Sequence, residues 1–204
     1  MKNQDEKFLK KAYLEALVPC VLSILSGCIN IIVDGILVGQ KAGVSGLAAI
    51  NLCVPVYLVL CVIGSFFVSG TAIPASDEIG KGNMDAAQFF YEFALGSCLL
   101  SSVIATVLGL VFMPAVASFL SPEEEIRAMI RSYAGITVAG SVAKIMIYVP
   151  FWFLRLEGKN RDVTVMMILM GGGNVVLDIL FLYGLNMGVS GAALASVIAT
   201  DLAA

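Results

Sequence analysis

Of 204 residues, 59% are hydrophobic and 13% charged, and mean hydropathy is +0.96, which leaves too few polar side chains to coat a soluble globule. The formal charge of -3 offers no electrostatic footprint for a nucleic-acid partner. The apolar runs match the ~20 residues of a spanning helix and exceed the ~10-residue alternating segments of a barrel strand, so the chain reads as an all-α polytopic membrane bundle. There is no histidine, and Cys20, Cys28, Cys53, Cys61 and Cys98 are scattered through apolar runs. That pattern indicates small core residues rather than a zinc site or a disulfide framework, and with no metal or nucleophile set neither a cofactor nor an enzyme is expected.

In chain order, a charged arm of residues 1–11 leads into a first helix over about 13–38. Its apolar run is too long for a signal-peptide core and no cleavage motif follows it, so no cleavable leader is expected. Pro19, Ser23, Gly27, Asn30 and Asp34 recur at spacings of three and four, a polar stripe on one face that must meet protein or water. Pro19 lacks a backbone N–H and clashes with the preceding turn, which predicts a kink and a candidate hinge. After a turn at 39–43, a second helix covers about 47–76 with Pro55 and Pro74 as interruptions, ending in a loop at 77–83 where Asp77 and Glu78 read as solvated charges. A third covers about 86–119, with Gly96, Ser97, Ser101 and Gly109 available for close helix contacts.

Ser121 and Pro122 then suit the cap and first position of a fourth helix over about 126–154, with Glu123, Glu124 and Glu125 favourable at its positive end. A basic loop, 155–161, leads to a fifth helix over about 163–183. A sixth begins near Val189, and 189–204 is too short to cross a ~30 Å core at ~1.5 Å per residue. The sequence is therefore expected to be truncated within that helix.

Loop charges set an orientation. On alternate loops, Lys2, Lys7, Lys10, Lys11, Lys81, Arg155, Lys159 and Arg161 fall on one side, and Lys41, Arg127 and Arg131 on the other. The more basic side, with the N-terminus, is expected to be cytoplasmic. The first and fifth helices then run outward together, which places Asp34 and Asp178 at matching depth, roughly 8 Å below their outer turns at ~1.5 Å per residue.

Those two acids carry the functional reading. Asn30-Ile-Ile-Val-Asp34 followed by Gly43-Val-Ser-Gly46 is echoed by Asn174-Val-Val-Leu-Asp178 followed by Gly188-Val-Ser-Gly191. A central Asp in hydrocarbon costs roughly 2.5–3.5 kcal/mol, so an acid placed there implies a partner and a function. Two acids in one low-dielectric pocket cannot both be ionised cheaply, so at least one exchanges a proton in the working pH range. Alternatively, two carboxylates with Asn and Ser oxygens form a hard, oxygen-only site for Na+. The residues alone leave H+ and Na+ both open. Gly171, Asn174 and Asp178 share a face of the fifth helix, and Gly188, Gly191, Ala192, Ala195 and Ser196 give the sixth a small-residue face that allows close approach. Helix glue is the plainer reading of these polar groups, but glue needs no duplicated Asn-x-x-x-Asp.

Asn174-Val-Val-Leu-Asp178, then Gly188-Val-Ser-Gly-Ala-Ala-Leu-Ala-Ser196, resembles the fifth-to-sixth helix signature of the multidrug and toxic compound extrusion (MATE) family. Pro19 and Asp34-Gly-Ile-Leu-Val-Gly39 resemble its first helix, Gly80-Lys-Gly-Asn83 its second-to-third loop and Arg155-Leu-Glu-Gly158 its fourth-to-fifth loop. The resemblance implies a twelve-helix fold of two six-helix lobes, of which 1–204 is the N-terminal lobe, without the C-terminal lobe as its partner. It implies H+- or Na+-coupled export of amphipathic, often cationic, organic compounds or drugs by alternating access, in the cell (inner) membrane. In the branch resembling DinF, coupling depends on carboxylates of this lobe, and the matching positions are Asp34, Asn174, Asp178 and Ser196, with Asn30 the repeat counterpart of Asn174. A lipid-linked oligosaccharide flippase of the same superfamily is the alternative, and would be expected to show more basic residues facing its cavity. A non-transporting half-protein that pairs or scaffolds is a third possibility.

Three positions depart from the family pattern. Phe151 stands where a polar residue is common, and Lys144 and Asp201 are charged where the family is usually uncharged. Both charges fall near mid-membrane with opposite signs, which predicts a buried Lys144–Asp201 pair, against snorkelling or water contact for Lys144. Arg155, Lys159 and Arg161 read as topology signals that meet lipid headgroups. Tyr148, Phe151, Trp152 and Phe153 read first as an interfacial belt, with lining of a drug cavity as the alternative.

Overall fold

The computed structural model describes the backbone of residues 2–203 and the side chains of Leu17, Val21, Leu25 and residues 31–203. The side chains of Pro19 and Asn30 lie outside the described residues, and so does the expected hinge. The described residues are helical throughout apart from short turns, with no strand among them. A continuous helical path, Lys2–Gly80, changes direction at Gly43, whose φ of 69° and ψ of -168° lie where a side chain is strained. The two limbs are helices α1 (2–42) and α2 (44–80), so the expected five-residue turn contracts to a single glycine. The expected interruptions at Pro55 and Pro74 do not form, for α2 keeps helical angles across both. The carbonyls that the two rings crowd belong to Asn51 and Gly70, both exposed, where the backbone has room to tilt.

A short clasp joins α2 to α3 (Met84–Leu120). Glu78 accepts from Lys81 Nζ at 2.6 Å and from Asn83 Nδ2 at 2.8 Å, while Asn83 Oδ1 caps α3 through the Ala86 N–H. Glu78 thus organises the loop and is more than a solvated charge. At the other end, Ser121 Oγ accepts from the Glu123 N–H, and Arg127 donates to the carbonyls of Ser121 and Pro122. The cap residue of α4 (Glu124–Ala139) is Glu123, without a side-chain cap bond, so Ser121 shapes the turn rather than capping the helix.

The fourth predicted helix is broken. α4 is followed by α5 (Ser141–Met146) and α6 (Tyr148–Leu156), and the path bends by 56° between α4 and the α5–α6 pair. Two causes are written in the chain. Gly140-Ser141 is a pair of the kind found at sharp kinks, and Ser141 Oγ is drawn sideways to Thr106 Oγ1 and the Ser102 carbonyl on α3. Ten residues on, Pro150 can neither donate to Met146 nor avoid its carbonyl, and α5 ends at Met146.

α7 (Asn160–Asp178) runs on as a wider π-helical turn, Ile179–Gly184, directly after Asp178. α8 (Val189–Ala203) then returns against it. Three helical stretches among the described residues are long and apolar enough to cross a membrane, Ile31–Gly80, Met84–Leu120 and Asn160–Gly184, and the bent pair passes that test together. Leu100, Val111, Ile168 and Val176 stand exposed on them, the pattern expected when lipid tails are the solvent.

Three packed clusters hold the bundle. Leu60, Val68 and Ala75 of α2 meet Cys98 of α3 and Ile145, Val149 and Phe153 of α5–α6. Towards the Gly43 end, Ala49 and Cys53 meet Met113, Ala117, Ile130 and Val138. A small third cluster joins Val38 of α1, Leu182 of the π turn and Ala192 of α8. The described cysteines are free thiols within these helices. Of the small residues expected to give close contacts on α3, a Cβ at Gly109 would press on Val138, whereas Gly96 faces open space.

The closest approach at the bend is between Gly140 and Val197 of α8, where an added Cβ would overlap both Val197 methyls. Gly140→Ala is expected to lower the thermal stability of the detergent-solubilised protein by about 1–3 kcal/mol, the usual cost of overpacking, and Val197→Ala in the same chain should restore most of it. Equal unfolding temperatures for the single variant and the wild type would show that the bend does not need the glycine.

Candidate functional site

Asp34 and Asp178 are brought together. Val38 lies four residues after Asp34 and Leu182 four after Asp178, and the packing of these two side chains in one cluster sets α1 and α7 in register one turn beyond the acids. The carboxyl groups are within hydrogen-bonding reach of each other, and Asp178 is completely buried. As carboxylates both are acceptors, so neither can satisfy the other. Asp34 Oδ1 and both Asp178 oxygens are buried with no hydrogen-bond donor among the described residues. A proton on one of them, or a cation between them, is what chemistry requires there. Asn174 is buried one turn before Asp178, and Tyr133 on α4 packs against the Val38, Leu182 and Ala192 cluster.

Ser196 does not join this pair. Its hydroxyl accepts from Lys144 Nζ at 2.9 Å, and no hydrogen bond links it to either acid among the described residues. The expected Lys144–Asp201 ion pair is likewise not formed: Lys144 is buried, Asp201 is exposed, and no ion pair joins them. Helix geometry accounts for this. Five residues separate Ser196 from Asp201, which turns Asp201 about 140° away from the face that meets Lys144 at 3.6 residues per turn. Lys144 Nζ also stands 5.4 Å from the centre of the Tyr57 ring, an attractive position over an aromatic face.

Beside these groups lies a cavity of about 310 Å³ bordered by Tyr57, Lys144, Tyr148, Phe151, Asn174 and Ser196, with Met166, Met167 and Met170 along one wall. Asn174 thus belongs to both places, the cavity wall and the helix turn that carries Asp178. The aromatic stretch on α6 divides. Tyr148 and Phe151 line the cavity, Phe153 enters the first core cluster and Trp152 is exposed. Arg155 stacks on Phe151 at 4.3 Å, so this basic residue has a protein partner as well as its place in the loop.

Tyr57, Tyr133 and the bend at Gly140 are not among the features expected from the sequence. Tyr57 lies in a run of apolar residues with nothing to mark its neighbour. The Gly140-Ser141 pair and Pro150 were the legible signals, because the break they make turns Lys144 towards α8.

Two facing acids, one of them fully buried, beside a mostly apolar cavity and inside a bundle of membrane-length helices, define a polytopic membrane lobe of the transporter kind. The profile of the MatE family matches residues 19–183, and the chain belongs to that family. Multidrug export protein MepA of Staphylococcus haemolyticus is 27% identical over 190 residues, a stretch covering 93% of this chain and 41% of that protein. Its namesake from Staphylococcus aureus is 25% identical over 191 residues, covering 94% and 42%. A solved MOP superfamily transporter from Pyrococcus furiosus, described as having a binding pocket of reverse polarity that suggests a different function, superposes with a TM-score of 0.90 at 26% identity, over 95% of this chain and 43% of that one. An outward-facing conformation of a multidrug resistance MATE family transporter gives a TM-score of 0.90 at 26% identity, with 95% and 43% covered. The chain therefore spans less than half the length of these relatives. Its fold is that of one region of a MATE transporter.

Proposed function

We propose that this chain is the ion-coupling N-terminal lobe of a cation-coupled exporter of amphipathic organic compounds, working by alternating access with a second lobe. The observation that carries the proposal is the facing pair of half-buried Asp34 and fully buried Asp178, with no donor between them among the described residues. Such a pair holds a proton or a Na+ ion more tightly when closed off than when opened to water, and that difference is what couples an ion gradient to a conformational change. Asn174 connects the acids to the cavity, because one helix turn carries both. Loading the pair therefore bears on the cavity wall. The resemblance to the DinF-like branch, in which coupling depends on carboxylates of this lobe, supports the reading. The excess of basic residues on alternate loops supports a cell-membrane protein with a cytoplasmic N-terminus.

The test is transport by the full-length protein in proteoliposomes, with an H+ gradient and a Na+ gradient imposed separately. One of the two gradients is expected to drive movement of an amphipathic fluorescent dye against its own gradient. Dye movement that follows neither ion gradient would overturn the proposal.

A further inference from the structure

A basic side chain borders the cavity, which is unexpected for an exporter of cations. Among the described residues that line it, Lys144 is the one with a basic side chain and none is acidic, and neither Asp34 nor Asp178 reaches its wall. No carboxylate forms an ion pair with Lys144 among the described residues; its hydrogen-bond partner is the neutral Ser196 hydroxyl. An ammonium has three donor hydrogens, and the Ser196 bond uses one. Two remain for a ligand, at the edge of a space walled by Tyr57, Tyr148, Phe151 and the α7 methionines. A buried ammonium with no carboxylate in contact is costly, since Asp34 and Asp201 act on it only from a distance, and an anion entering the cavity offsets that cost.

We propose that this cavity binds amphipathic organic anions, a carboxylate or sulfonate head on Lys144 with an aromatic or aliphatic body against the tyrosines and methionines. The volume of about 310 Å³ falls at the lower end of small-molecule sites, which suits a compact ring system with one acidic group. Ser196, which already accepts from Lys144, fixes the ammonium in place, so the ion meets a preorganised donor. This inference names the substrate class of the exporter proposed above and rests on that reading for its role, but the binding itself does not depend on transport.

The experiment is a fluorescence titration of the full-length protein in lipid nanodiscs with two probes that share a fluorophore and differ in charge, dansylglycine and dansylethylenediamine. The wild type is expected to bind the carboxylate probe at least about tenfold more tightly than the ammonium probe, as one desolvated charge pair would give. Lys144→Met should lose about that factor for dansylglycine alone, and Lys144→Arg should keep the preference. A Lys144→Met protein that still prefers dansylglycine, or a wild type that prefers the ammonium probe or binds neither, would overturn the inference. Should Lys144→Met fail to fold, competition by octanoate against octylamine on the wild type decides the same question: displacement of dansylglycine by octylamine alone counts against the site. A charge preference without gradient-driven export leaves this inference standing and removes the exporter reading. Gradient-driven export without a charge preference does the reverse.

Discussion

Asp178→Asn is expected to abolish ion-driven transport by the full-length protein while leaving it as stable as the wild type or more so. The two halves of that expectation come from one fact. Both Asp178 oxygens and Asp34 Oδ1 are buried without a donor among the described residues, so the pair holds acceptor against acceptor whenever no proton or cation is bound. The amide introduced by D178N donates to Asp34 and removes an unsatisfied contact, worth about 1–2 kcal/mol of added stability. It also removes the group that takes up and releases the coupling ion. Asp34→Asn should behave in the same way, and the double variant should be no worse in transport than either single one, since the carboxyls act as a unit. Thermal unfolding in detergent and gradient-driven uptake in proteoliposomes read the two quantities separately. Wild-type transport in both single variants would remove the pair from the coupling mechanism. Loss of transport together with loss of the fold would instead make the acids structural.

The acid pair was legible in the sequence because it rests on two independent regularities. The repeat of Asn-x-x-x-Asp before the same Gly-Val-Ser-Gly turn marks the residues, and the alternation of basic loops places them at one depth. The packing of Val38 with Leu182 then follows the same four-residue step on each helix. Lys144 was legible as an anomaly but not in its pairing. Counting depth along a straight fourth helix put it level with Asp201, whereas the real path bends by 56° and delivers it to Ser196. Depth alone carries no angle about the helix axis, and Asp201 sits on the wrong side of α8. The π turn at Ile179–Gly184 was equally hidden. An apolar run such as Ile-Leu-Phe-Leu-Tyr is compatible with α or π winding, and what distinguishes them is the neighbour, here the small face of α8. Gly96 and Gly109 make the same point from the other side. Both are glycines on one apolar helix, yet Gly109 alone meets a partner, because α4 crosses near it and nothing crosses near Gly96.

That neighbour relation yields the second large effect. Gly191, buried on α8, is packed so closely on the π turn that an added Cβ would stand 3.0 Å from Cβ of both Phe181 and Met187 and 3.3 Å from the Phe181 carbonyl carbon. Gly172, on α7, is exposed and has nothing within 4 Å of the same position. Gly191→Leu must therefore push α8 from the turn that follows Asp178, and the backbone atom in the contact cannot rotate out of the way. A loss of about 1–3 kcal/mol is expected from overpacking, together with impaired transport because Leu182 and its register with Val38 shift. Gly172→Leu places the same side chain in lipid and replaces the poorest ordinary helix former, so it should leave transport unchanged and stabilise α7 by up to about 1 kcal/mol. Unfolding temperature and transport rate, measured side by side for the two variants, decide the matter. If Gly191→Leu proved as benign as Gly172→Leu, the tight contact between α8 and the π turn would not be what sets the position of Asp178. A stable Gly191→Leu protein that no longer transports would confine the role of that contact to coupling, since α8 would then have found another seat while the acid pair lost its register.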